Sequence, residues 1–281
     1  MGKFTGLLLA SDYDNTLTYT EEALRLCQPM PPVPDANQEA IRYFMSEGGI
    51  FSVATGRAKP AFERVAADVP MNGPTILFNG AAIYDFPAGK YLCEAFLPDE
   101  AKDCIQQVIA ALPFSAVELY HDNNDIHALQ PNDVTRRHLH ITHSPTVFVD
   151  SMTEVPSPIS KALFSTEPEN QPALLDFLRA QPWYDRYEIV ASSSSLVELT
   201  AKGANKGGMV RRLAEHLHIG LDHVYCVGDE ANDLSMLTWA AEGFAPANCV
   251  PAVRACGATI VADADHDTLA DIVSRLDKMY A

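Results

Sequence analysis

The chain has 281 residues, 47% of them hydrophobic, and carries 20 Lys and Arg against 37 Asp and Glu, for a formal net charge of −17. This composition excludes a mainly disordered chain, and the length allows about two domains with separate cores. The negative charge makes nucleic acid and an anionic membrane surface poor partners. A small ligand whose charge is neutralised by a metal ion remains a good candidate.

Cysteine usage and hydropathy predict where the protein resides. The six cysteines form no Cys-x-x-Cys pair, and the apolar run at residues 6–10 is too short to cross a bilayer. No basic segment or cleavage site accompanies that run, so no targeting segment is expected. We therefore expect a cytoplasmic protein with reduced cysteines.

The first third of the chain alternates short apolar runs with amphipathic segments, which is typical of parallel βαβ units. Asp35 is expected to cap the first of the predicted helices, and Gly48-Gly49 to end it. The predicted strands are 7–10, 50–54 and 75–78, and the predicted helices are 34–47 and 60–68.

The same pattern returns near the C-terminus, with a segment of different character in between. Asp267 is expected to cap the last helix. The predicted elements of this second block are helices 206–217, 233–240 and 267–279 and strands 223–227, 243–245 and 258–262. We predict an α/β fold with a Rossmann-like parallel sheet core, formed by residues 1–84 and 201–281.

Residues 85–200 are predicted to form an inserted α+β domain. Its predicted strands 117–120, 125–129 and 195–200 alternate polar and apolar residues, which is typical of antiparallel strands with one solvent-exposed face. Its predicted helices are 99–112 and 170–180, and residues 132–158 are not assigned.

Polar residues follow four predicted strands of the core. Asp12, Thr55, Asn79 and Asp229 come directly after apolar runs, and ligands of open parallel sheets bind beyond the carboxyl ends of the strands. Four carboxylates, those of Asp12, Asp14, Asp229 and Asp233, would repel one another at this edge unless a divalent cation such as Mg²⁺ bound them. With Thr55 and Lys206 added, the edge suits a phosphoryl group, which needs positive charge and donors on several sides.

These residues lie in four motifs that resemble the haloacid dehalogenase superfamily. The motifs are DYDNTL at 12–17, TGR at 55–57, KG at 206–207 and GDEAND at 228–233. The sequence NGA at 79–81 and the segment from Glu198 to Gly207 are similar to the Cof-type phosphatases, which carry a large α+β cap. Asn15 stands where those phosphatases usually have glycine.

The resemblance implies a Mg²⁺-dependent phosphatase that acts on a small phosphorylated metabolite, a sugar phosphate by default. It implies four catalytic residues: a nucleophile that forms an aspartyl phosphate, an acid and base, and two groups that hold the phosphate. These are Asp12, Asp14, Thr55 and Lys206. Gly56, Asn79 and Asn232 would join Thr55 and Lys206 in binding the substrate phosphate.

The implied metal ligands are Asp12, the Asp14 carbonyl and Asp229, with Asp233 and Asn232 acting mostly through metal-bound water. Each residue also has a purely structural interpretation. Asp12 and Asp14 could cap turns, Thr55 could cap the next helix, and Asp233 could simply complement a helix dipole. Arg57 is left outside the catalytic set.

Two other classes of function remain open. A phosphotransferase or phosphomutase would use the same intermediate on Asp12. A non-catalytic phosphoacceptor module for signalling also groups Asp, Thr and Lys at strand ends, but such modules are far shorter. The sequence leaves the oligomeric state, monomer or homodimer, undetermined.

The inserted domain carries a basic cluster in an otherwise acidic protein. The cluster, Arg136, Arg137, His138, His140 and His143, has three interpretations: an exposed strand or loop, a three-histidine metal site, or a contact for an anionic substrate. The exposed strand or loop is preferred, because no Cys or carboxylate stands at ligand spacing beside the histidines.

Overall fold

A computed structural model describes residues 2–26 and 28–281. Five strands form a parallel sheet in the order β14-β13-β12-β1-β2. They are β1 (Leu8–Ser11), β2 (Ile50–Val53), β12 (Val224–Val227), β13 (Glu242–Pro246) and β14 (Thr259–Val261). Every adjacent pair runs parallel.

Helices cover both faces of this sheet because its strands are apolar on both sides. Alternate residues of β1 show the division: Leu9 packs into one cluster with α2 and α10, whereas Leu8 and Ala10 pack into another with α7. The helices of the core are α1 (Glu21–Leu26), α2 (Asp35–Ser46), α3 (Lys59–Ala66), α7 (Lys206–His216), α8 (Leu234–Leu237), α9 (Pro251–Arg254) and α10 (Thr268–Met279). The predicted α/β fold with a Rossmann-like sheet is confirmed.

One predicted helix cap is wrong, and the other is confirmed in position only. Asp35 is the first residue of α2 and lies in its first turn, where a negative charge suits the helix dipole. Asp267 occupies the N-cap position of α10 but makes no side-chain capping hydrogen bond. The buried Asn37 of α2 caps α10 instead, because its Oδ1 accepts hydrogen bonds from Leu269 N at 2.8 Å and Ala270 N at 3.2 Å. This contact between helices far apart in sequence could not be read from local spacing.

An antiparallel extension follows β2. Strand β3 (Thr75–Leu77) pairs with β4 (Ala82–Asp85), which pairs with β5 (Lys90–Glu94). A bridge between Ala54 and Ile76 joins this small sheet to the end of β2. Strand β5 lies within residues 85–200, the predicted inserted domain, but it is hydrogen-bonded to β4, which extends from the sheet of the core.

A six-stranded sheet follows in the order β10-β11-β9-β6-β7-β8, with only the β7–β8 pair parallel. Its strands are β6 (Ala116–His121), β7 (Asp125–Leu129), β8 (Thr146–Phe148), β9 (Ile159–Ser165), β10 (Tyr187–Ser193) and β11 (Leu196–Ala201). The helices are α4 (Ala101–Ala111), α5 (Asp133–Thr142) and α6 (Gln171–Arg179). Apolar residues on one face of the sheet pack against α4 and α6.

Helix α5 lies in the segment left unassigned by the sequence. Asn132 caps it in a reciprocal capping box with Thr135, whose backbone N donates to Asn132 Oδ1 at 2.9 Å. The basic cluster thus lies on and just after a helix, and the preferred interpretation as an exposed strand or loop is wrong.

Candidate active site

A cavity of about 600 Å³ lies between the carboxyl edge of the parallel sheet and the polar face of the six-stranded sheet. Asp12 follows β1, and Asp229 follows β12 after one glycine. Both residues line the cavity together with Asp14 and Lys206. Residues from opposite ends of the chain therefore meet because β1 and β12 are adjacent parallel strands.

Lys206 is the buried cation of this cavity. It is the first residue of α7, after the Asn205 cap, and its Nζ lies 2.8 Å from Asp12 Oδ1 and 2.7 Å from Asp233 Oδ1. Burial alone would lower the pKa of Lys206, but the two carboxylates raise it above its ordinary value, so the ammonium stays charged. A cation that is unfavourable at a helix N-terminus is stabilised here by two buried carboxylates.

Asp12 and Asp229 are buried beside each other. Burial and the neighbouring Asp233 raise the pKa of Asp12 to about 8, against the opposing effect of Lys206. Burial and the charge of Asp12 raise the pKa of Asp229 as well, although Thr16 Oγ1 donates a hydrogen bond to it at 2.8 Å. Two buried carboxylates this close together are unfavourable when both are ionised, unless further positive charge is present.

This carboxylate set fits a hard divalent cation. Oxygens of Asp12, Asp229 and Asp233 all lie within 4.8 Å of one another. Asp233 is the least available, because its Oδ1 accepts from Lys206 and its Oδ2 accepts from Asp229 N and Glu230 N, both at 3.0 Å. Asp12 and Asp229 therefore have the freer oxygens, and Asp233 orients the loop and the lysine around them.

The side chain of Asp14 faces Arg57 rather than the carboxylates of Asp12, Asp229 and Asp233. The guanidinium donates two hydrogen bonds, from Nε at 2.8 Å and from Nη2 at 2.7 Å, and Thr20 Oγ1 donates a third at 2.7 Å. Burial would raise the pKa of Asp14, but Arg57 and Thr20 together lower it below its ordinary value. With its side chain so occupied, only the backbone carbonyl of Asp14 remains for a metal.

The backbone of the first motif turns sharply at Asn15, which has φ of 54°. This left-handed conformation explains why glycine is usual there, and Asn is among the few other residues that adopt it readily. Its Oδ1 also accepts hydrogen bonds from Thr20 N at 3.0 Å and Glu21 N at 2.9 Å. The departure from the family pattern at this position therefore preserves the local structure.

The second motif is joined to the third strand end by hydrogen bonds. Thr55 O accepts from Asn79 N at 3.0 Å, and Asn79 Oδ1 accepts from Asn232 Nδ2 at 2.9 Å. Asn79 Nδ2 is buried beside Gly56 and has no hydrogen-bond partner among the described residues. Asn232 Oδ1 is buried and unpaired as well in the described part of the chain, so the two amides together have one free donor and one free acceptor for a ligand.

The six-stranded sheet presents a polar face to the cavity. Lys161 Nζ lies 2.8 Å from Glu198 Oε2, donates to Gly56 O at 3.1 Å and lies 4.6 Å from the centre of the Tyr120 ring. Both members of the Lys161–Glu198 ion pair are almost fully buried. The contact with Gly56 links the two halves of the cavity at the predicted phosphate loop.

A second buried carboxylate lies behind this pair. Glu118 is fully buried, its oxygens lie 2.9 and 3.0 Å from His138 Nδ1, and its Oε2 accepts from Tyr120 at 3.2 Å. His138 and Arg137, from the basic cluster, line the cavity. Among the described residues, the groups that could hold a metal do not include the three histidines of that cluster, so their interpretation as a metal site lacks support.

The predicted site residues therefore fall into two groups. Asp12, Lys206, Asp229 and Asp233 form one connected set, and Thr55, Asn79 and Asn232 form a second beside it. Sequence reasoning named Arg57 but left it outside the catalytic set, and it missed the partners Thr16, Lys161, Glu118 and Tyr120. Neither Lys161 nor Glu118 carried a local signal, because each lies in a strand with other polar residues and resembles a solvent-facing position.

A family model described as haloacid dehalogenase-like hydrolase matches residues 9–273. The chain belongs to the haloacid dehalogenase-like hydrolases, and the predicted family and the predicted enzyme class are confirmed. No helix in residues 2–26 and 28–281 combines the length and hydropathy needed to span a membrane.

Several relatives match over most of their length. Bacillus subtilis YxeH is 27% identical, over 88% of this chain and 89% of that protein, and the Bacillus subtilis phosphatase YwpJ is 24% identical, over 96% and 99%. The structure of the subclass IIB sugar phosphatase BT4131 superposes with a TM-score of 0.79 at 21% identity, over 96% of this chain and 99% of that one. These likenesses support the fold and the capped architecture.

Proposed function

We propose that this protein is a Mg²⁺-dependent phosphatase that hydrolyses a small phosphate monoester through an aspartyl phosphate on Asp12. The observation that carries the proposal is the buried set of Asp12, Lys206 and Asp229 at the edge of the parallel sheet. In this proposal residues 1–84 and 201–281 are the catalytic core and residues 85–200 are the cap. Because β5 (Lys90–Glu94) pairs with β4, we move the first boundary of this division and place the proposed hinge just after Glu94, with β5 counted in the core.

Asp12 is the proposed nucleophile. Its carboxylate oxygen attacks phosphorus, the new O–P bond forms as the bond to the leaving oxygen breaks, and an aspartyl phosphate results. Lys206, held 2.8 Å from Asp12, keeps positive charge beside the attacking group and the transferring oxygens. Asn79 Nδ2, unpaired and buried, and the Thr55 hydroxyl are the donors proposed for the phosphate.

Asp12, Asp229 and the Asp14 carbonyl would hold the magnesium ion, with Asp233 fixing their surroundings. When bound, the ion supplies positive charge that offsets the carboxylates and the phosphate oxygens. The burial of Asp12 and Asp229 and their raised pKa values support this assignment, because both groups need a neutralising charge to stay ionised.

Asp14 is the proposed acid and base. It would give a proton to the leaving alkoxide, and then take one from the water that attacks the aspartyl phosphate, which releases phosphate and restores Asp12. Arg57 holds Asp14 in its ionised form in this structure, so the acid form requires that the two hydrogen bonds from Arg57 loosen. Binding of a phosphate ester, which competes for the guanidinium, supplies a reason for that change.

The cap would select the organic part of the substrate. The Lys161–Glu198 ion pair and the His138–Glu118 hydrogen bond give its face both donors and acceptors, which suits a hydroxylated leaving group. A sugar phosphate is the default, and the sugar phosphatase among the structural relatives agrees with it. We keep the cytoplasm as the proposed location and a small molecule, rather than nucleic acid, as the partner.

A panel of phosphate esters, incubated with and without Mg²⁺, tests the proposal. We expect release of inorganic phosphate that requires Mg²⁺ and is lost in Asp12→Asn. Accumulation of an isomeric ester instead of phosphate would favour a phosphomutase, and stable phosphorylation of Asp12 without turnover would favour a signalling module. Equal activity of Asp12→Asn and the unaltered protein would refute the mechanism.

A further inference from the structure

A second cluster of metal-ligating side chains lies in the cap, away from the proposed active site. His121 Nδ1 is 2.9 Å from Asp125 Oδ1, and His127 Nε2 is 2.9 Å from Asp125 Oδ2. The rings of the two histidines stand perpendicular, with centroids 5.8 Å apart. One ligand atom from each of the three residues lies within 4.8 Å of the others.

The β6–β7 hairpin brings the three residues together. His121 is the direct cross-strand partner of Asp125, and His127 lies two residues further along β7, so all three side chains leave the same face of the sheet. Leu119 and Leu129 belong to this face and pack in the apolar core of the cap. The alternate residues of the hairpin, including Tyr120, face the catalytic core instead, so the cluster lies on the opposite side of the sheet from the cavity.

The side chains around Asp125 offer a cation one carboxylate and two imidazoles. Each oxygen of Asp125 lies 2.9 Å from one imidazole nitrogen, Oδ1 from His121 Nδ1 and Oδ2 from His127 Nε2. These two imidazoles are its only side-chain partners among the described residues. His127 is nearly buried, while His121 and Asp125 are each 23% exposed, which leaves one side of the cluster open to a water ligand.

We propose that His121, Asp125 and His127 bind a divalent transition-metal ion of the zinc type, with water completing a four-coordinate site. Two imidazole nitrogens and one carboxylate oxygen are ligands that zinc accepts, whereas Mg²⁺ prefers oxygen alone. The cluster is therefore chemically distinct from the all-carboxylate set around Asp12. It does not depend on the proposed phosphatase activity.

The site would brace the hairpin where the cap meets the core. Asn123, in the turn between His121 and Asp125, donates from Nδ2 to Glu94 Oε1 at 2.8 Å, and Glu94 is the last residue of the core strand β5. A metal that fixes both strands of the hairpin would also fix this contact. We therefore assign the ion a structural role at the junction rather than a role in the reaction.

Cobalt(II) is the probe, because its visible spectrum reports tetrahedral nitrogen and oxygen ligands. The assay uses full-length Asp12→Asn/Asp229→Asn protein, in which the proposed catalytic metal site is disabled. We expect one equivalent of Co²⁺ to bind, to be displaced by Zn²⁺ and to resist excess Mg²⁺. His121→Gln and Asp125→Asn should each weaken Co²⁺ binding by more than about tenfold. Loss of a residue that only hydrogen-bonds to a metal ligand already lowers metal affinity by about that factor.

His266→Gln is the matched control, because His266 belongs to an exposed group with Asp263 and Asp265 that could also hold an ion. It should leave Co²⁺ binding unchanged. Zn²⁺ added to the unaltered protein should shift the ring resonances of His121 and His127 in NMR spectra, which tests the site without any substitution there. The proposal is overturned if no Co²⁺ binds, if His121→Gln and Asp125→Asn bind it normally, or if His266→Gln alone abolishes binding.

Discussion

Replacement of Lys206 by methionine tests the electrostatics of the buried cluster. Lys206 is 1% exposed, and its Nζ lies 2.8 Å from Asp12 and 2.7 Å from Asp233. Methionine fills a similar volume but leaves the carboxylates of Asp12, Asp229 and Asp233 without their buried cation. Removing one partner of a buried ion pair costs about 3–5 kcal/mol, so we expect the free energy of unfolding of the metal-free protein to fall by that amount.

The loss should depend on pH with a definite sign. Without Lys206, the carboxylates relieve their repulsion by taking up protons in the folded state, so the folded state binds more protons than the unfolded chain. The pKa values of Asp12 and Asp229 are already raised in the unaltered protein, and removing Lys206, which opposes the rise, raises them further. The variant therefore loses more stability than the unaltered protein as pH rises, and the loss caused by Lys206→Met should be larger at pH 8 than at pH 6.

Urea unfolding followed by circular dichroism, with EDTA present, measures the effect. Lys3→Met is the matched control, because Lys3 pairs with Asp277 at 2.7 Å on the surface, where water screens the ion pair and its contribution to stability is small. Adding Asp12→Asn to Lys206→Met should recover part of the lost stability. A loss of unfolding free energy for Lys206→Met no larger than that for Lys3→Met would refute this account of the cluster.

Three further substitutions probe the proposed chemistry. Arg57→Ala removes two charged hydrogen bonds from Asp14 and should raise the pKa of that carboxyl group. An unmoved pH profile of kcat/KM for an alkyl phosphate would contradict this. Asp14→Asn should slow hydrolysis of an alkyl phosphate by about 10²–10⁴-fold but that of nitrophenyl phosphate much less, because nitrophenolate leaves without a proton; equal losses would argue against the acid role. Asp12→Asn should stabilise the metal-free protein increasingly as pH rises from about 4 to 8. The pKa of Asp12 is about 8 in the folded protein and 3.8 in the unfolded chain, so ionisation of Asp12 favours unfolding over this range, and the variant lacks that effect. A pH-independent difference in unfolding free energy between the two proteins would be inconsistent with this.

Much of the core could be predicted from the sequence because its signals are local. Strands buried on both faces read as continuous apolar runs, and the residue after each run marks the carboxyl edge of the sheet. Asp12, Thr55 and Asp229 were located in this way. The pairing of Asp14 with Arg57 was not, because Asp14 could equally have faced the metal set, and its direction follows from contacts with Arg57 and Thr20 that arise only in the folded chain.

The cap was harder to predict. Its strands have a dry face toward α4 and α6 and a polar face toward the cavity, so Lys161 and Glu118 resemble ordinary solvent-facing residues of an antiparallel sheet. Their burial follows from the core that lies against them, which no local pattern contains. Helix α5 did carry a readable signal, the Asn132 and Thr135 capping box, but the many Pro, Ser and Thr residues after it obscured that signal.

Detection of the covalent intermediate tests the central claim most directly. The protein would be mixed with Mg²⁺ and a phosphate ester labelled in the phosphoryl group, quenched in acid within one turnover and reduced with borohydride, which converts an aspartyl phosphate to homoserine. The account predicts that homoserine replaces Asp12 alone, and that Asp12→Asn gives none. Rapid turnover with no modified residue, or modification at a different carboxylate, would contradict it.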